Sequence, residues 1–145
     1  MPKPVAISHT GTVGAPLDRV FALLNDPGRF PNWLPGCRAV APKTGLITMG
    51  ARFHLEMGGK GNRVEIEIID HQPPRTLGWV EHRRRVGNKL FMKLDPDGGA
   101  TQVTIKYVWT PHSFRAWLLG QFYRRRDARR MFNGTLQNLR KALLR

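Results

Sequence analysis

The stretch that decides the fold is residues 112–145, HSFRAWLLGQFYRRRDARRMFNGTLQNLRKALLR. At about 100° per residue, one side of a helix about eight turns long carries a continuous stripe of mostly apolar side chains. The members of this stripe are Phe114, Leu118, Ala128, Phe132, Thr135, Leu136, Leu139, Ala142 and Leu143. A helix of this length is stabilised mainly by burying such a face against another layer. We therefore expect the preceding sequence to form a sheet that covers it.

Residues 37–110 have the two-residue period of β-strands. Apolar and polar side chains alternate in five runs, which are separated by segments rich in Gly, Pro, Asn and Asp. The runs are residues 51–57, 63–71, 75–84, 89–95 and 101–110. Connections this short join antiparallel neighbours, since a parallel pair needs a crossover of a dozen residues or so. The pattern predicts an antiparallel meander with one apolar, aromatic face.

The first third of the chain predicts one strand and two short helices. Residues 5–13 alternate and predict the strand, and Ala15-Pro16-Leu17-Asp18 has the proline and acid typical of a helix start. Its buried positions would be Leu17, Val20, Phe21 and Leu24. Asn25-Asp26-Pro27 ends this helix and caps a second one that reaches Trp33. With about six further strands and the long helix, the fold class is α+β.

Length and charge constrain the organisation and the partners. A chain of 145 residues with 41% hydrophobic content predicts one domain, residues 1–145. The net charge is +14, and residues 112–145 carry nine Lys and Arg against one Asp, which makes +8 and leaves +6 for the rest. Basicity concentrated on the long helix favours an anionic partner there, such as lipid head groups, an acidic ligand or nucleic acid.

Several classes of site and location are disfavoured. Cys37 is the single cysteine, so an internal disulfide is excluded and a reducing compartment fits. No signal-peptide pattern or run of 18 apolar residues occurs, and we expect a cytoplasmic location, with the inner face of the membrane as a site of peripheral association. The five histidines lack metal-ligand spacing. We expect no metal and no cofactor.

Three segments carry a resemblance to a known family. They are residues 20–27 (VFALLNDP) continuing to Phe30, Trp33 and Pro35-Gly36; residues 69–77 (IDHQPPRTL); and a strand that leads directly into the last helix. With the element order, they resemble the helix-grip superfamily (Bet v 1-like, START-related, SRPBCC) in its bacterial polyketide cyclase/dehydrase-like branch. The resemblance covers nearly the whole chain. It implies a curved antiparallel sheet of about seven strands wrapped on the C-terminal helix.

The resemblance also implies a cavity, because a curved sheet does not close tightly on one helix in this superfamily. The candidates to line it are Trp33, Phe53, Leu55, Trp79, Tyr107, Trp109, Leu118, Phe122 and Phe132. Small-molecule pockets are mostly apolar, with a few polar groups that fix orientation. The alternative for each of these residues is simple core packing.

Two polar residues, Gln121 and Arg125, also lie within the stripe. Arg125 is the more unusual, since a guanidinium is costly to bury without an anionic partner. Glu81 and Arg83 continue the apolar strand face of Trp79, so Glu81, Arg83, Gln121 and Arg125 would form a polar end of the cavity. Two alternatives remain. Arg125 pairs with Glu81 for structure alone, or Gly120 shifts the helix register and leaves Arg125 in solvent.

Three functions fit these features. The first is binding or transport of a hydrophobic or amphipathic small molecule, such as a lipid or a polyketide-like compound, between sheet and helix. The second is a polyketide cyclase or dehydratase. In such an enzyme the acid, base or enolate stabiliser would be Glu81, His82, Tyr107 or Arg125. Because the superfamily has no universal catalytic motif, no catalytic residue is assigned.

The third is association with an anionic membrane or with RNA through the basic helix. On a membrane, residues 114–126 would lie on the bilayer, with Arg124, Arg126 and Arg130 on head groups. The alternative for that face is a solvated helix surface. Nucleic acid is the least favoured partner, because no DNA- or RNA-binding motif is present and charge alone gives nonspecific affinity. The sequence leaves the oligomeric state open.

Overall fold

The structure is a computed structural model that describes residues 5–58, 62–82, 88–109 and 114–143, with no side chain described for residues 62 and 114–125. Its strands are β1 (Val5–Val13), β2 (Cys37–Ala41), β3 (Arg52–Met57), β4 (Asn62–Gln72), β5 (Thr76–His82), β6 (Lys89–Asp97) and β7 (Ala100–Trp109). Its helices are α1 (Leu17–Leu24), α2 (Phe30–Trp33) and α3 (Phe114–Ala142), and a 3-10 turn at Pro27–Arg29 precedes α2.

The seven strands form one antiparallel sheet in the order β1-β7-β6-β5-β4-β3-β2. Strands β2 to β7 are sequential neighbours, and β1 returns to pair with β7, with Val5 opposite Trp109 and Val13 opposite Thr101. The predicted curved seven-stranded sheet and the helix-grip class are confirmed. Residues 69–77, one of the segments that carry the resemblance, form a hairpin, since Gln72 pairs with Thr76.

Helix α3 is 29 residues long and buries the predicted stripe along its second half. Ala128, Phe132, Thr135, Leu136 and Leu139 are buried, and Ala142 and Leu143 are half-buried. The Phe132 ring stacks on His9 of β1 with ring centroids 5.3 Å apart. The helix therefore lies along the β1 side of the concave face. The Phe114 and Leu118 side chains lie outside the described residues.

The two short helices close the rest of that concave face. In α1 the buried residues are Val20, Phe21, Leu23 and Leu24, whereas Leu17, which we expected to be buried, is half-buried. Leu17 is the first residue of α1, so its side chain packs against the core from the helix end and stays partly exposed. The Asp26 carboxylate accepts a hydrogen bond from the Gly28 N–H (3.2 Å), which starts the second helical segment.

Helix α2 fills the centre of the concave face with aromatic rings. Phe30 and Trp33 are fully buried, and the Trp33 ring centroid lies 5.5 Å from that of Phe30 and 6.2 Å from that of Trp79. Phe53 adds a further ring, 6.3 Å from Phe30. The Asn138 side chain donates to the Trp33 carbonyl (3.3 Å) and so joins α3 to α2. We call Phe30, Trp33, Phe53 and Trp79 the aromatic cluster.

Candidate functional site

Beyond the aromatic cluster, α3 and the sheet leave a cavity of about 160 Å³. It lies between strands β5, β6 and β7 and the part of α3 around residue 128. The described residues that line this ligand cavity are Glu81, Asn88, Lys89, Leu90, Tyr107, Val108, Trp109, Asp127, Ala128 and Met131.

Strand register brings the sheet residues of the cavity together. Tyr107 pairs with Leu90, and Leu90 pairs with Trp79, so these three side chains form a row across the concave face. Glu81 follows Trp79 by two residues and Trp109 follows Tyr107 by two, so both lie one step further along their strands. The Glu81 N–H donates to the Asn88 carbonyl (2.7 Å), which holds β5 and β6 together there.

The ligand cavity is apolar inside and charged at its opening. Trp109 and Ala128 are buried, and Leu90 and Met131 are half-buried. Lys89 and Asp127 are exposed and Glu81 is half-buried, so we call these three residues the mouth. Buried Ala128 has only a Cβ, and a larger side chain at this position would occupy the cavity. An apolar interior with a charged mouth suits an amphipathic molecule.

Tyr107 supplies a hydroxyl within the cavity wall. Its oxygen is buried and has no hydrogen-bond partner among the described residues. Burial raises the pKa of Tyr107 to about 12, and the neighbouring Thr135 side chain lowers it by a smaller amount. The two hydroxyls are not hydrogen-bonded to each other in this structure. The phenol is therefore protonated at neutral pH and can donate.

The predicted site residues divide into three groups. Glu81, Tyr107 and Trp109 line the ligand cavity. Buried in the core, and absent from the cavity lining, are Trp33, Phe53, Leu55, Trp79 and Phe132. Outside the described residues lie the side chains of Leu118, Phe122 and Arg125, together with the other members of the predicted polar end, Arg83 and Gln121. A ligand contact for these residues stays a prediction.

Core and cavity residues occupy the same sheet face, and α2 separates them. Its rings cover Phe53 and Trp79, whereas no α2 residue is among the described residues that line the cavity with Leu90, Ala128 and Met131. The strand alternation and the helix stripe identify Leu90 and Ala128 as inward-facing. Met131 and Asp127 flank the stripe, and only the position of α3 over the sheet brings them to the cavity.

His82, one of the candidate acid–base groups, belongs to another surface. Its Nε2 lies 2.8 Å from Glu67 Oε1, and the residue is exposed. Glu67 also pairs with Arg52 at 3.1 Å. His82 is therefore part of an exposed charge network on the opposite sheet face, away from the ligand cavity.

On the outer side of α3, Arg126 and Arg130 are exposed, and the Arg124 side chain lies outside the described residues. Association of this face with an anionic membrane stays a prediction. Within the described part of the chain, no helix is both long and apolar enough to cross a bilayer. Over the same residues, no three His, Cys, Asp or Glu side chains gather as a metal site would require.

Solved structures with the same fold are numerous, and three illustrate the likeness. The Zhui aromatase/cyclase from Streptomyces sp. R1128 is 18% identical with a TM-score of 0.71, and the match covers 94% of each chain. The Polyketide_cyc-like protein from Corynebacterium glutamicum is 23% identical with a TM-score of 0.65, over 99% of this chain and 93% of that one. XoxI from Bacillus cereus is 14% identical with a TM-score of 0.71, over 97% and 96%.

At these identities the structures show the shared fold alone. Comparison with curated proteins found no match. The family evidence comes from the sequence itself, because the model of one family, described as polyketide cyclase / dehydrase and lipid transport, matches residues 4–144. The chain therefore belongs to the polyketide cyclase / dehydrase and lipid transport family.

Proposed function

We propose that the protein binds a small amphipathic molecule whose apolar part enters the ligand cavity between the sheet and α3. The observation that carries this proposal is the cavity itself, with Leu90, Trp109, Ala128 and Met131 around its interior and charged residues at its mouth. Family membership supports it, since the family description includes both cyclases and lipid transport.

The volume of the ligand cavity limits the size of the molecule, or part of a molecule, that can enter it. An engineered protein cavity of about 150 Å³ holds one benzene molecule, and sites for whole drug-sized ligands measure about 300–1,000 Å³. The 160 Å³ described here accommodates one aromatic ring or a short stretch of acyl chain. A larger polyketide-like or lipid ligand would insert one end and keep the remainder at the mouth.

Polar contacts would orient the ligand. The Tyr107 hydroxyl is protonated and has no described partner, so it is the natural donor for a ligand oxygen once the wall adjusts to admit it. The mouth carries two carboxylates, Glu81 and Asp127, and one ammonium, Lys89.

Calorimetric titration with 1-naphthol, which can insert one of its two rings and leave the other at the mouth, tests the proposal. Ala128→Leu should fill the cavity and raise the Kd by at least about tenfold, a loss of about 1.4 kcal/mol of binding free energy. Ala22→Leu, the same substitution at an exposed position of α1, should leave the Kd unchanged. Equal affinity in both variants, or absence of naphthol binding together with no apolar compound copurifying in native mass spectrometry, would reject the proposal.

A second candidate is cyclase or dehydratase chemistry in the same cavity. It is favoured by the presence of Glu81 and Tyr107 in one cavity wall. Ring closure of a poly-β-ketone requires a base to take a proton from the carbon α to a carbonyl and a donor to stabilise the enolate oxygen. Glu81 would be the base and Tyr107 the donor.

This candidate is tested by turnover of an aromatic polyketide precursor. A general base contributes about 10²–10⁴ in rate, so Glu81→Gln should reduce kcat by roughly that factor, while Tyr107→Phe tests the enolate donor. Unchanged turnover in both variants would reject the chemistry. If the variants bind 1-naphthol normally and no precursor is converted by the wild type, binding alone remains.

A further inference from the structure

A second opening lies on the other flank of α3. Ile7 and His9 of β1 and Arg126 and Arg129 of α3 line a cleft of about 340 Å³, which we call the β1–α3 cleft. It is separated from the ligand cavity by the buried line of α3, since Asp127, Ala128 and Met131 face the cavity and Phe132 packs on His9 between the two openings. We propose that this cleft binds a phosphate group, with Arg126 and Arg129 as its cationic contacts and His9 as an additional hydrogen-bond donor.

The two arginines are placed to act together. Arg126 and Arg129 are three residues apart, so they lie one above the other on the same face of α3. Both are exposed, and neither makes an ion pair or hydrogen bond with any residue that the structure describes. Two cationic groups held in one cleft without a counter-ion repel each other, and a shared anion would remove that repulsion.

No acidic residue is among the described residues that line this cleft. Among the described side chains of α3, residues 126–142, the single acid is Asp127, and it lines the ligand cavity on the opposite flank. The two residues of β1 that line the cleft are also without negative charge. The part of the cleft that the structure describes therefore carries positive charge without a compensating acid, within a chain whose net charge is +14.

His9 adds an unused polar group. Its ring stacks on Phe132 at an interplanar angle of 28°, and its Nε2 is buried with no hydrogen-bond partner among the described residues. A half-turn about χ2 exchanges ring nitrogens and carbons within the same volume. An anion against the ring edge in the cleft would give a nitrogen the partner that it lacks, and buried polar groups normally have one.

The geometry favours phosphate over other anions. A carboxylate has two oxygens, which one guanidinium fork already satisfies, whereas a phosphate has enough oxygens and charge for two guanidinium groups and an imidazole at once. The volume exceeds that of the phosphate alone, so a phosphate carried on a larger molecule fits.

The first arm of the test is calorimetric titration of the full chain with inorganic phosphate and with glycerol 3-phosphate. Arg126→Gln combined with Arg129→Gln should weaken binding of both by at least about tenfold. The control combines Arg63→Gln with Arg130→Gln, two exposed arginines outside the cleft that remove the same total charge, and it should change the Kd by less than about threefold. His9→Phe, which keeps the stack on Phe132, should weaken binding by about threefold to tenfold.

The second arm distinguishes a lipid head group from a free phosphorylated molecule. Vesicles of phosphatidylcholine with phosphatidylglycerol are sedimented with the wild type, the cleft variant and the control. Loss of sedimentation in the cleft variant alone identifies a lipid phosphate as the source, and equal sedimentation of all three together with loss of glycerol 3-phosphate binding identifies a soluble phosphate. Equal effects of the cleft and control variants in both arms, or absence of any phosphate-dependent binding by the wild type, would overturn the proposal.

Discussion

Gly11 of β1 lies directly beneath Leu136 of α3, so close that a Cβ atom on Gly11 would be 2.5 Å from Leu136 Cδ2 and 3.2 Å from Phe132 Cζ. Gly11 is on the inward face of β1, between His9 and Val13. The missing side chain is what allows the long helix to approach the edge of the sheet at this point. This contact places the second half of α3 and therefore both of its flanking openings.

Replacing Gly11 with Val should destabilise the protein by about 1–3 kcal/mol, because the new methyl groups must displace Leu136 and Phe132 in a packed interior. Gly14→Val is the matched control, since no atom lies within 4 Å of a Cβ there, and its effect should stay within about 0.5 kcal/mol. Urea unfolding curves measure both values. Equal midpoints for the two variants would show that α3 moves away from β1 at little cost.

The raised pKa of Tyr107 predicts a loss of stability in alkali. Its pKa is about 12 in the folded protein against an ordinary value of 10.0, so the folded state holds the proton more tightly than the unfolded state does. The resulting stabilisation is complete below pH 10 and is lost as the pH rises through 12; we expect about 2 kcal/mol to be lost between pH 9 and 11.5.

Tyr107→Phe has no such proton, and it provides the comparison. Between pH 9 and 11.5 the wild type should lose about 2 kcal/mol of unfolding free energy relative to Tyr107→Phe. Other titrating groups, including Tyr123, are present in both proteins and cancel. A difference that does not change with pH would mean that the phenol is not held in a desolvated site.

Arg140 stabilises the exposed edge of the sheet. Its Nε and Nη2 atoms both donate to the Thr12 carbonyl of β1, at 3.1 and 2.8 Å. Arg140→Met keeps the apolar stem and removes both bonds, and it should cost about 0.5–1.5 kcal/mol in urea unfolding. Arg130→Met, on the same helix without a described partner, should cost less than about 0.5 kcal/mol. A larger loss for Arg130→Met than for Arg140→Met would contradict this role.

Asp127 at the mouth should select against negatively charged ligands. Asp127→Asn keeps the shape of the mouth and removes one carboxylate, so an anionic apolar probe such as anilinonaphthalene sulfonate should bind about twofold to fivefold more tightly at low salt. The Kd of neutral 1-naphthol should not change, and Glu56→Gln, an exposed residue outside the ligand cavity, should affect neither probe. Equal effects on both probes would point to a change of cavity shape.

Much of the fold follows from local periodicity. The uninterrupted alternation of residues 5–13 predicts β1 with the bounds that the structure has, and the five later runs correspond to β3 to β7 within a few residues at each described end. The stripe of α3 is buried from Ala128 to Leu139 as its helical period predicts. Strand β2 is short and bulged between Cys37 and Ala39, which weakens its alternation and explains why no separate run marks it.

The site follows from the sequence only in part. Alternation along β5 and β7 assigns Trp79, Glu81, Tyr107 and Trp109 to one face, and the structure brings the last three to the ligand cavity. Alternation alone does not distinguish Trp79 from these three cavity residues. In the structure Trp79 belongs to the core, since it is 2% exposed and packs against Phe30 and Trp33.

By itself, the sequence determined which side of each strand and helix is apolar, the order of the elements and the concentration of arginine on α3, because these depend on residues close together in the chain. The tertiary structure decided which inward-facing residues become core and which surround a space. Helix α2 covers Trp79 with Phe30 and Trp33, whereas Tyr107 and Ala128 lie where α3 spans the sheet without a short helix beneath it. That distinction depends on where two helices cross a curved sheet, which is set by non-local contacts such as the one between Gly11 and Leu136.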